Sequence, residues 1–313
     1  MRIAAFPKGD LDAMLVQRSK TVFEWIEEAR TLGVDGLELH TGFFDAGDAA
    51  TVDRVGDALE AAGFAMPMMC ASPDFTHPDR EVRLRERDQH AAFMRATAAL
   101  GGTGAACRVL SGQAHPEVPM EQGVEWVVEA IESLLPLARE LDILLAMENH
   151  YKASTWQYPE FAQRPAVFQR IVDAIDDRTH FGVQYDPSNC ITAGVDAVDF
   201  LESVIGRVVT MQASDRYLEP GASLDDLRGA DGTIGYAPAL KHGVIGRGLN
   251  DYDRIFRLLV EAGYDGWISI EDGVNGIDEL RESAAFLRDA RDRWFGGSTA
   301  VRVRTLDAAR SAA

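Results

Sequence analysis

Residues 143–150 combine the pattern of a buried strand with three polar side chains that could perform chemistry. The stretch reads Ile-Leu-Leu-Ala-Met-Glu-Asn-His, and such an apolar run is typical of a parallel strand covered by helices on both faces. It ends in Glu148, Asn149 and His150, which supply a carboxylate, an amide and an imidazole. Because His150 lies two residues beyond Glu148, an extended strand would place both side chains on one face. The alternative is a strand that simply emerges into solvent.

Three later apolar runs end in the same way. They end in Asp186 within Tyr-Asp-Pro-Ser-Asn, in Gln212 within Met-Gln-Ala-Ser-Asp-Arg, and in Glu271 within Ser-Ile-Glu-Asp-Gly. Crowded carboxylates repel one another unless they are protonated, paired with cations or bound to a metal. Three carboxylates and an amide oxygen suit a hard divalent ion, so we expect Mg²⁺ or Mn²⁺, with Co²⁺ also compatible. Alternatively, the acids pair with arginine side chains; the candidates are Arg108, Arg216 and Arg247.

A metal beside acids and an imidazole suits one type of reaction, the removal of a proton next to a carbonyl. The metal would polarise the carbonyl oxygen, and a carboxylate or imidazole would take the proton. Glu148, Glu271 and His150 are the catalytic candidates. For His150, the alternative is a loop histidine that is bonded only to backbone.

The elements that must position these residues follow a regular alternation of short apolar runs and longer amphipathic segments. This alternation predicts βαβ units and a parallel sheet, and eight such pairs predict an α/β fold, the closed (β/α)8 barrel. In such a barrel the carboxyl ends of the strands share one rim, so the polar strand ends would meet there. A doubly wound open sheet is the alternative, but no glycine-rich turn follows the first strand. The predicted strands are 2–6, 36–40, 65–70, 105–110, 143–148, 180–185, 208–213 and 267–270.

Composition and charge exclude several classes of protein. With 46% hydrophobic residues the chain can bury a large core, and we expect one barrel domain over residues 1–295 and a tail at 296–313. The net charge of −19 disfavours a nucleic-acid partner. The three cysteines lack paired spacing, and no segment has the length and hydrophobicity of a signal or membrane span. We therefore expect a cytoplasmic protein that does not bind membranes.

The four strand-end residues resemble the metal quartet of the xylose-isomerase-like barrels, the sugar phosphate isomerase/epimerase family, and the resemblance spans about residues 2–293. It implies that Glu148 and Glu271 are metal-bound and exchange the substrate proton. Asp-x-x-Asn at 186–189 is similar to the family's Asp-x-x-His, which implies that Asn189 contacts substrate. The family usually has His where this chain has Gln212, which puts ordinary ketose epimerase activity in doubt and leaves an all-oxygen metal site.

A narrower resemblance lies in one loop. Glu-Asn-His-Tyr-Lys at 148–152 and Trp-Gln-Tyr-Pro-Glu-Phe at 156–161 resemble the catalytic α subunits of bacterial C-glycoside deglycosidases. The resemblance implies a small β-sandwich partner subunit and a 3-keto-glycoside substrate. A proton would leave C2, next to the C3 ketone, and the aglycone would then leave C1, with His150 as the group that moves the proton. Glycoside deglycosylation by a lyase that depends on a divalent metal, manganese or magnesium, is thus the favoured function.

Other functions stay open at this point. A ketose 3-epimerase or an aldose–ketose isomerase uses the same first step, and a non-catalytic sugar-binding barrel is the alternative from another class. We expect a sugar or glycoside ligand, no nucleotide, and association into oligomers. Trp156 and Tyr158 could stack against a sugar or an aromatic aglycone, or only pack their loop onto the barrel. The residues expected at the substrate are His40, Trp156, Tyr158, Asn189, Asp215 and Arg216.

Residues 214–250 form a segment that is long for a loop in a compact barrel, which is typical of lids and binding loops. Its glycine-rich end at 241–248, together with Arg247, could bind phosphate through backbone amides. Alternatively, these glycines only shape the turn.

Overall fold

The structure is a computed structural model that describes residues 1–153, 156–229 and 239–296 of the 313-residue chain. Short strands recur along the described chain, and most of their residues are buried. They are β1 (Arg2–Ala5), β2 (Gly36–Leu37), β3 (Leu39–His40), β4 (Met68–Cys70), β5 (Ala106–Val109), β6 (Leu144–Glu148), β7 (Phe181–Tyr185), β8 (Val208–Ala213), β9 (Arg216–Leu218), β10 (Leu240–His242) and β11 (Trp267–Ile270).

Nine of these strands form one parallel sheet in the order β2-β1-β11-β8-β7-β6-β5-β4-β3. The two end strands, β2 and β3, are separated along the chain only by Glu38. Because β2 pairs with β1 and β3 pairs with β4, they act as one interrupted strand that joins both edges of the sheet. The predicted (β/α)8 barrel is therefore confirmed.

Helices surround the sheet, and the amphipathic ones bury one apolar face against it. In one of the two longest helices the buried residues recur every three or four positions, as a helix with one covered face requires; they include Val124, Val127, Ile131, Leu134 and Ala138. The helices are α1 (Val22–Ala29), α2 (Ala49–Ala62), α3 (Arg80–Gly101), α4 (Met120–Leu141), α5 (Pro165–Ala174), α6 (Pro187–Thr192), α7 (Ala197–Val204), α8 (Leu224–Gly229), α9 (Tyr252–Glu261) and α10 (Ile277–Trp294).

The strand order places β6, β7, β8 and β11 side by side. These are the strands that end in the four polar residues singled out from the sequence. All pairings among them are parallel, so their carboxyl ends lie at the same rim. The sheet thus gathers the candidate residues as the sequence predicted.

Four elements were not expected from the sequence: α6, α8, β9 and β10. α6 directly follows β7, where the Asp186 side chain accepts hydrogen bonds from the first helical amides and a proline starts the helix. Within 214–250, β9 and β10 form an antiparallel pair instead of an irregular loop. Residues 230–238 of that predicted loop lie outside the described residues, as does the predicted tail beyond Gly296.

The three cysteines are buried and free, as their spacing predicts. Over residues 1–153, 156–229 and 239–296, no helix has both the length and the apolar composition to cross a bilayer.

Candidate active site

Glu148, at the end of β6, is buried and paired with a cation. Arg108 of β5 donates from Nη1 to Glu148 Oε2 at 2.7 Å, and its Nε is held by the carbonyl of Ala71 at 3.0 Å. The other carboxylate oxygen accepts from Asn189 Nδ2 at 2.8 Å. Burial, opposed by the charge of Arg108, raises the pKa of Glu148 well above its ordinary value. Glu148 is therefore paired with Arg108, one of the arginines that the sequence offered as partners instead of a metal.

Asp186 is placed by two sets of hydrogen bonds at the end of β7. Its Oδ1 accepts from the backbone of Ser188 (2.8 Å) and Asn189 (3.1 Å), and this cap brings Asn189 beside Glu148. Ser214 Oγ donates to the same oxygen at 2.7 Å. The second oxygen, Oδ2, is buried without a hydrogen-bond partner. Burial, followed by the charge of Glu271, raises the pKa of Asp186 to about 7.

Gln212, in β8, is oriented by an acid that the sequence analysis passed over. Its Nε2 donates to Oε1 of Glu38, which lies in the gap between β2 and β3 and also accepts from Cys70 Sγ at 2.8 Å. Since Glu38 holds the amide nitrogen, Gln212 Oε1 is left facing away, buried and without a partner. Burial raises the pKa of Glu38 to about 7.

Glu271 follows β11 and is paired with a lysine from the opposite end of the chain. Lys8 lies just beyond β1 and donates from Nζ to Glu271 Oε1 at 2.8 Å. Burial alone would lower the pKa of Lys8, but the charges of Glu271 and Tyr151 and the hydrogen bond with Glu271 together outweigh burial, and the pKa is raised. β1 and β11 are neighbours in the barrel, which explains why these two ends meet.

The barrel thus gathers the predicted quartet at one rim, together with Arg108, which the sequence offered as an alternative partner, and Lys8, which it did not. The charges of Glu271 and Asp186 both raise the pKa of Glu148, so these carboxylates lie near enough to repel one another. Within the described part of the chain, however, no group of three or more His, Cys, Asp or Glu side chains has a metal-binding arrangement. Metal binding by the quartet therefore stays a prediction.

His150 lies beside the quartet and is backed by a further acid. Its Nδ1 is 3.6 Å from Glu160 Oε2, and its ring stacks on Tyr151 with centroids 5.4 Å apart. Burial, then the charges of Arg108 and Lys8, holds the pKa of His150 well below its ordinary value. The ring is therefore neutral at rest and can accept a proton.

Three other predicted substrate residues, Trp156, Tyr158 and His40, each contact another part of the protein. Trp156 packs edge-on against His150 at 6.3 Å, whereas Tyr158 packs edge-on against His115 at 5.4 Å. His40 is half-buried at the end of β3, and its Nδ1 accepts from the backbone of Gly42 at 2.9 Å. Burial, then the charges of Arg108 and Lys8, lowers the pKa of His40 to about 3. Each aromatic side chain thus has a packing partner, and their contacts with substrate stay predictions.

Asp215 has a structural task that the sequence analysis did not foresee. Its carboxylate accepts four backbone N–H bonds, and this arrangement folds the glycine-rich segment back onto β8; the donors are Arg216 (2.9 Å), Gly246 (3.0 Å), Gly248 (2.9 Å) and Asn250 (3.2 Å). Two of the amides that phosphate would need therefore have a partner, and Arg247 pairs with Glu282 at 2.6 Å. The contacts favour the turn-shaping role of these glycines.

Arg216 and a histidine of the β9–β10 pair add further charge near the rim. Arg216 is buried, and its guanidinium lies 5.7 Å from the centre of the Tyr151 ring. Opposite it in the pair, His242 Nδ1 is 2.8 Å from Oδ1 of Asp272, the residue after Glu271. His242 and Asp272 were missed because neither is part of an apolar run.

Sequence comparison shows which family the chain belongs to. Residues 26–290 match the model of the xylose isomerase-like TIM barrel family, so the chain is a member of it. Comparison with curated proteins gives no match.

Solved structures with the same fold cover nearly the whole chain. A D-tagatose 3-epimerase-like protein is 15% identical with a TM-score of 0.73, covering 95% of this chain and 99% of its own. The 3-keto-D-glucoside 4-epimerase YcjR from E. coli is 16% identical with a TM-score of 0.67, covering 93% and 99%. The IOLI protein, solved with a bound zinc atom, is 13% identical with a TM-score of 0.71, covering 94% and 99%. At such identities the similarity establishes the fold alone.

Proposed function

We propose that this protein is a divalent-metal-dependent enzyme that removes a proton next to the carbonyl of a keto sugar or keto-glycoside. The observation that carries the proposal is the placement of Glu148, Asp186, Gln212 and Glu271 on neighbouring strand ends beside a neutral His150. The named activities of the similar solved structures, a tagatose 3-epimerase-like protein and a 3-keto-glucoside 4-epimerase, support a sugar substrate.

The donor atoms at the rim fit a hard divalent cation. Asp186 Oδ2 and Gln212 Oε1 are buried oxygens without partners, and such atoms are costly unless something binds them. Glu148 and Glu271 already have cationic partners, but a carboxylate oxygen has a second lone pair to offer. At full ionisation four carboxylates meet two cationic side chains, an excess of two negative charges; the acids are Glu38, Glu148, Asp186 and Glu271, and the cations are Lys8 and Arg108.

A bound divalent cation would stabilise the negative charge that develops on the carbonyl oxygen. His150, with its depressed pKa, can accept the proton from the carbon next to that carbonyl. Asn189 holds Glu148 in place, and Trp156 packs edge-on against the His150 ring. The reacting carbon would thus lie between His150 and the carboxylates.

Two outcomes can follow the loss of the proton. Elimination of the aglycone from a 3-keto-glycoside is our first choice, because the 148–161 loop resembles that of C-glycoside deglycosidases and Gln212 departs from the family's usual histidine. The resemblance behind this choice also implies a small β-sandwich partner subunit. Epimerisation or isomerisation is the second candidate, and the named activities of the solved neighbours favour it.

Incubation in deuterium oxide distinguishes these outcomes. The purified protein with Mn²⁺ would be given a 3-keto-glycoside and, separately, a free ketose, followed by NMR. Aglycone release from the keto-glycoside supports elimination, and deuterium incorporation with a new epimer supports the second candidate. Binding of sugar without any exchange at carbon would indicate a non-catalytic sugar-binding barrel.

Metal dependence has its own test. Dialysis against a chelator is expected to abolish exchange, and Mn²⁺ or Mg²⁺ is expected to restore it. A preparation shown by elemental analysis to lack metal, yet fully active, would contradict this part of the proposal.

A further inference from the structure

A buried acid with no assigned task lies directly behind His150. Glu160 is 2% exposed, and its Oε1 accepts hydrogen bonds from the backbone N–H of Ser111 at 2.8 Å and from the Ser111 hydroxyl. Its other oxygen, Oε2, is buried without a hydrogen-bond partner. Ser111 thus fixes the carboxylate by one oxygen and leaves the second one unused.

The unused oxygen faces an equally unused nitrogen. His150 Nδ1 is also buried without a hydrogen-bond partner, and the two atoms are 3.6 Å apart. A hydrogen bond between nitrogen and oxygen is about 2.7–3.2 Å long, so a movement of roughly half an ångström would close the gap. Buried polar groups without hydrogen-bond partners are costly, and a hydrogen bond between these two would satisfy both.

We propose that Glu160 is a positioning residue that holds His150 through Nδ1, so that Nε2 is the nitrogen that exchanges a proton with the substrate. This inference rests on the proposed function, in which His150 moves that proton. It assigns a role to a residue outside the predicted site. The arrangement follows the general rule that an acid behind an imidazole fixes its tautomer and stabilises its charged form.

The proton and charge balance of the step is simple. The C–H bond next to the carbonyl breaks, its electron pair stays on the substrate, and an N–H bond forms at His150 Nε2. The ring becomes an imidazolium, whose Nδ1–H donates to the Glu160 carboxylate. Return of the Nε2 proton to the product carbon or to the departing aglycone restores the neutral ring, so no further reactant is needed.

The alternative is that Glu160 has only a structural role, and the test must distinguish that role from the positioning of His150. Glu160 also donates its backbone N–H to the carbonyl of Tyr151 at 2.8 Å, and Ser111 Oγ accepts from the N–H of Ala162 at 3.0 Å. These contacts tie down the loop that follows β6. Gln113 offers a matched comparison, because its side-chain oxygen binds the amides of Gln157 (2.7 Å) and Tyr158 (3.0 Å) in the same loop.

The test compares Glu160→Gln with Gln113→Ala, with deuterium exchange into a 3-keto-glycoside as the activity. Glu160→Gln keeps the side-chain size and an oxygen for Ser111, but it cannot carry negative charge. We expect its kcat to fall at least ~100-fold with KM within about twofold, which is in the range of a lost orienting partner. Gln113→Ala is expected to lower the melting temperature with only a few-fold change in kcat.

A double-mutant cycle shows whether Glu160 acts through His150. In a His150→Ala background, Glu160→Gln is expected to cause no further loss of kcat. An equal loss with and without His150 would overturn the inference, as would wild-type kcat in Glu160→Gln or a similar loss of kcat in Gln113→Ala.

A measurement without substrate keeps this inference separate from the proposed function. Because burial raises the pKa of Glu160 to about 8, the measurement is made at about pH 9, where this carboxylate is ionised. In ¹⁵N NMR of the histidine rings at that pH, the His150 signals, assigned by their loss in His150→Ala, are expected to show the proton on Nδ1 in wild type and on Nε2 in Glu160→Gln. The same tautomer in both proteins would overturn the positioning role. A wild type that shows the tautomer change but no exchange with any keto sugar would reject only the proposed function.

Discussion

At the scale of single residues, three acids at the rim are held by a charged or amide partner, whereas Asp186 Oδ2 has none. Glu148 has Arg108, Glu271 has Lys8, and Glu38 holds the Gln212 amide. A buried carboxylate needs such a partner because its charge is otherwise too costly. The partners therefore decide which acids stay ionised and which oxygens stay available to a cation or substrate.

Replacing either glutamate tests the site directly. Glu148→Gln and Glu271→Gln keep an oxygen that can accept from Arg108 or Lys8, so we expect folded proteins by circular dichroism. The carboxylate charge is lost, and we expect kcat/KM for proton exchange to fall at least ~100-fold. Glu121 is a matched control, since it pairs with Arg170 on the exposed surface, and Glu121→Gln should retain full activity. Full turnover in either rim variant would contradict the assignment.

The buried acid Glu38 predicts a pH dependence of stability. Its pKa is raised from 4.5 to about 7 in the folded protein, so between these pH values the folded state holds a proton that the unfolded state has lost. The free energy of unfolding of the metal-free protein should therefore fall as pH rises from about 4.5 to about 7. Urea unfolding at pH 5 and pH 8 measures this fall, which should be smaller in Glu38→Gln. An identical fall in both proteins would count against the raised pKa.

At the scale of elements, the rim is built by short capping segments that follow the strands. The Asp186 cap starts α6, and α6 delivers Asn189 to Glu148. On the other side, Asp215 gathers the backbone of 246–250 and so positions the β9–β10 pair that carries His242. Hydrogen bonds from backbone N–H groups to Asp186 and Asp215 thus position the segments that follow the strands.

Asp215→Ala tests this structural role. Four backbone N–H groups would lose their acceptor, so we expect a melting temperature lower by several degrees and faster hydrogen exchange over 243–250. Asp226→Ala is the comparison, because Asp226 is exposed and caps only Ser223. If hydrogen exchange over 243–250 were unchanged in Asp215→Ala, the four hydrogen bonds to Asp215 would not stabilise this segment.

At the scale of the whole molecule, the barrel depends on close contact between neighbouring strands. Gly182 of β7 pairs with Ala146 of β6, and a Cβ at this glycine would lie 2.4 Å from Val209 Cγ1 and 2.8 Å from the carbonyl of Arg207. No residue with a side chain fits there without moving β8, and β8 carries Gln212. The packing beneath the rim and the geometry of the rim are therefore linked.

Gly182→Ala should show that link. We expect a marked fall in melting temperature and weaker activity, since β7 and β8 must separate to admit the methyl group. Gly206→Ala is the matched control, because a Cβ there meets no atom within 4 Å. Equal melting temperatures of the two variants, measured by calorimetry, would mean that the sheet can absorb the methyl group.

Much of the fold could be predicted because hydrophobic periodicity is local. The apolar run at 143–148 agrees with β6 to within a residue. α6 and the β9–β10 pair could not be found in this way, because a six-residue helix starts from a side-chain cap and β10 pairs with a strand twenty residues earlier. The candidate quartet was found because polar residues at the ends of apolar runs are a local signal.

The sequence by itself determined the alternation of strands and helices, the barrel, and the acids that follow its strands, since each depends on residues that are close along the chain. Only the tertiary structure decided which charges meet. Lys8 and Glu271 are 263 residues apart, and Gln212 and Glu38 are 174 apart. The first contact arises because the closed sheet pairs its first and last strands, β1 and β11. No local pattern records which side chains face each other once the barrel closes.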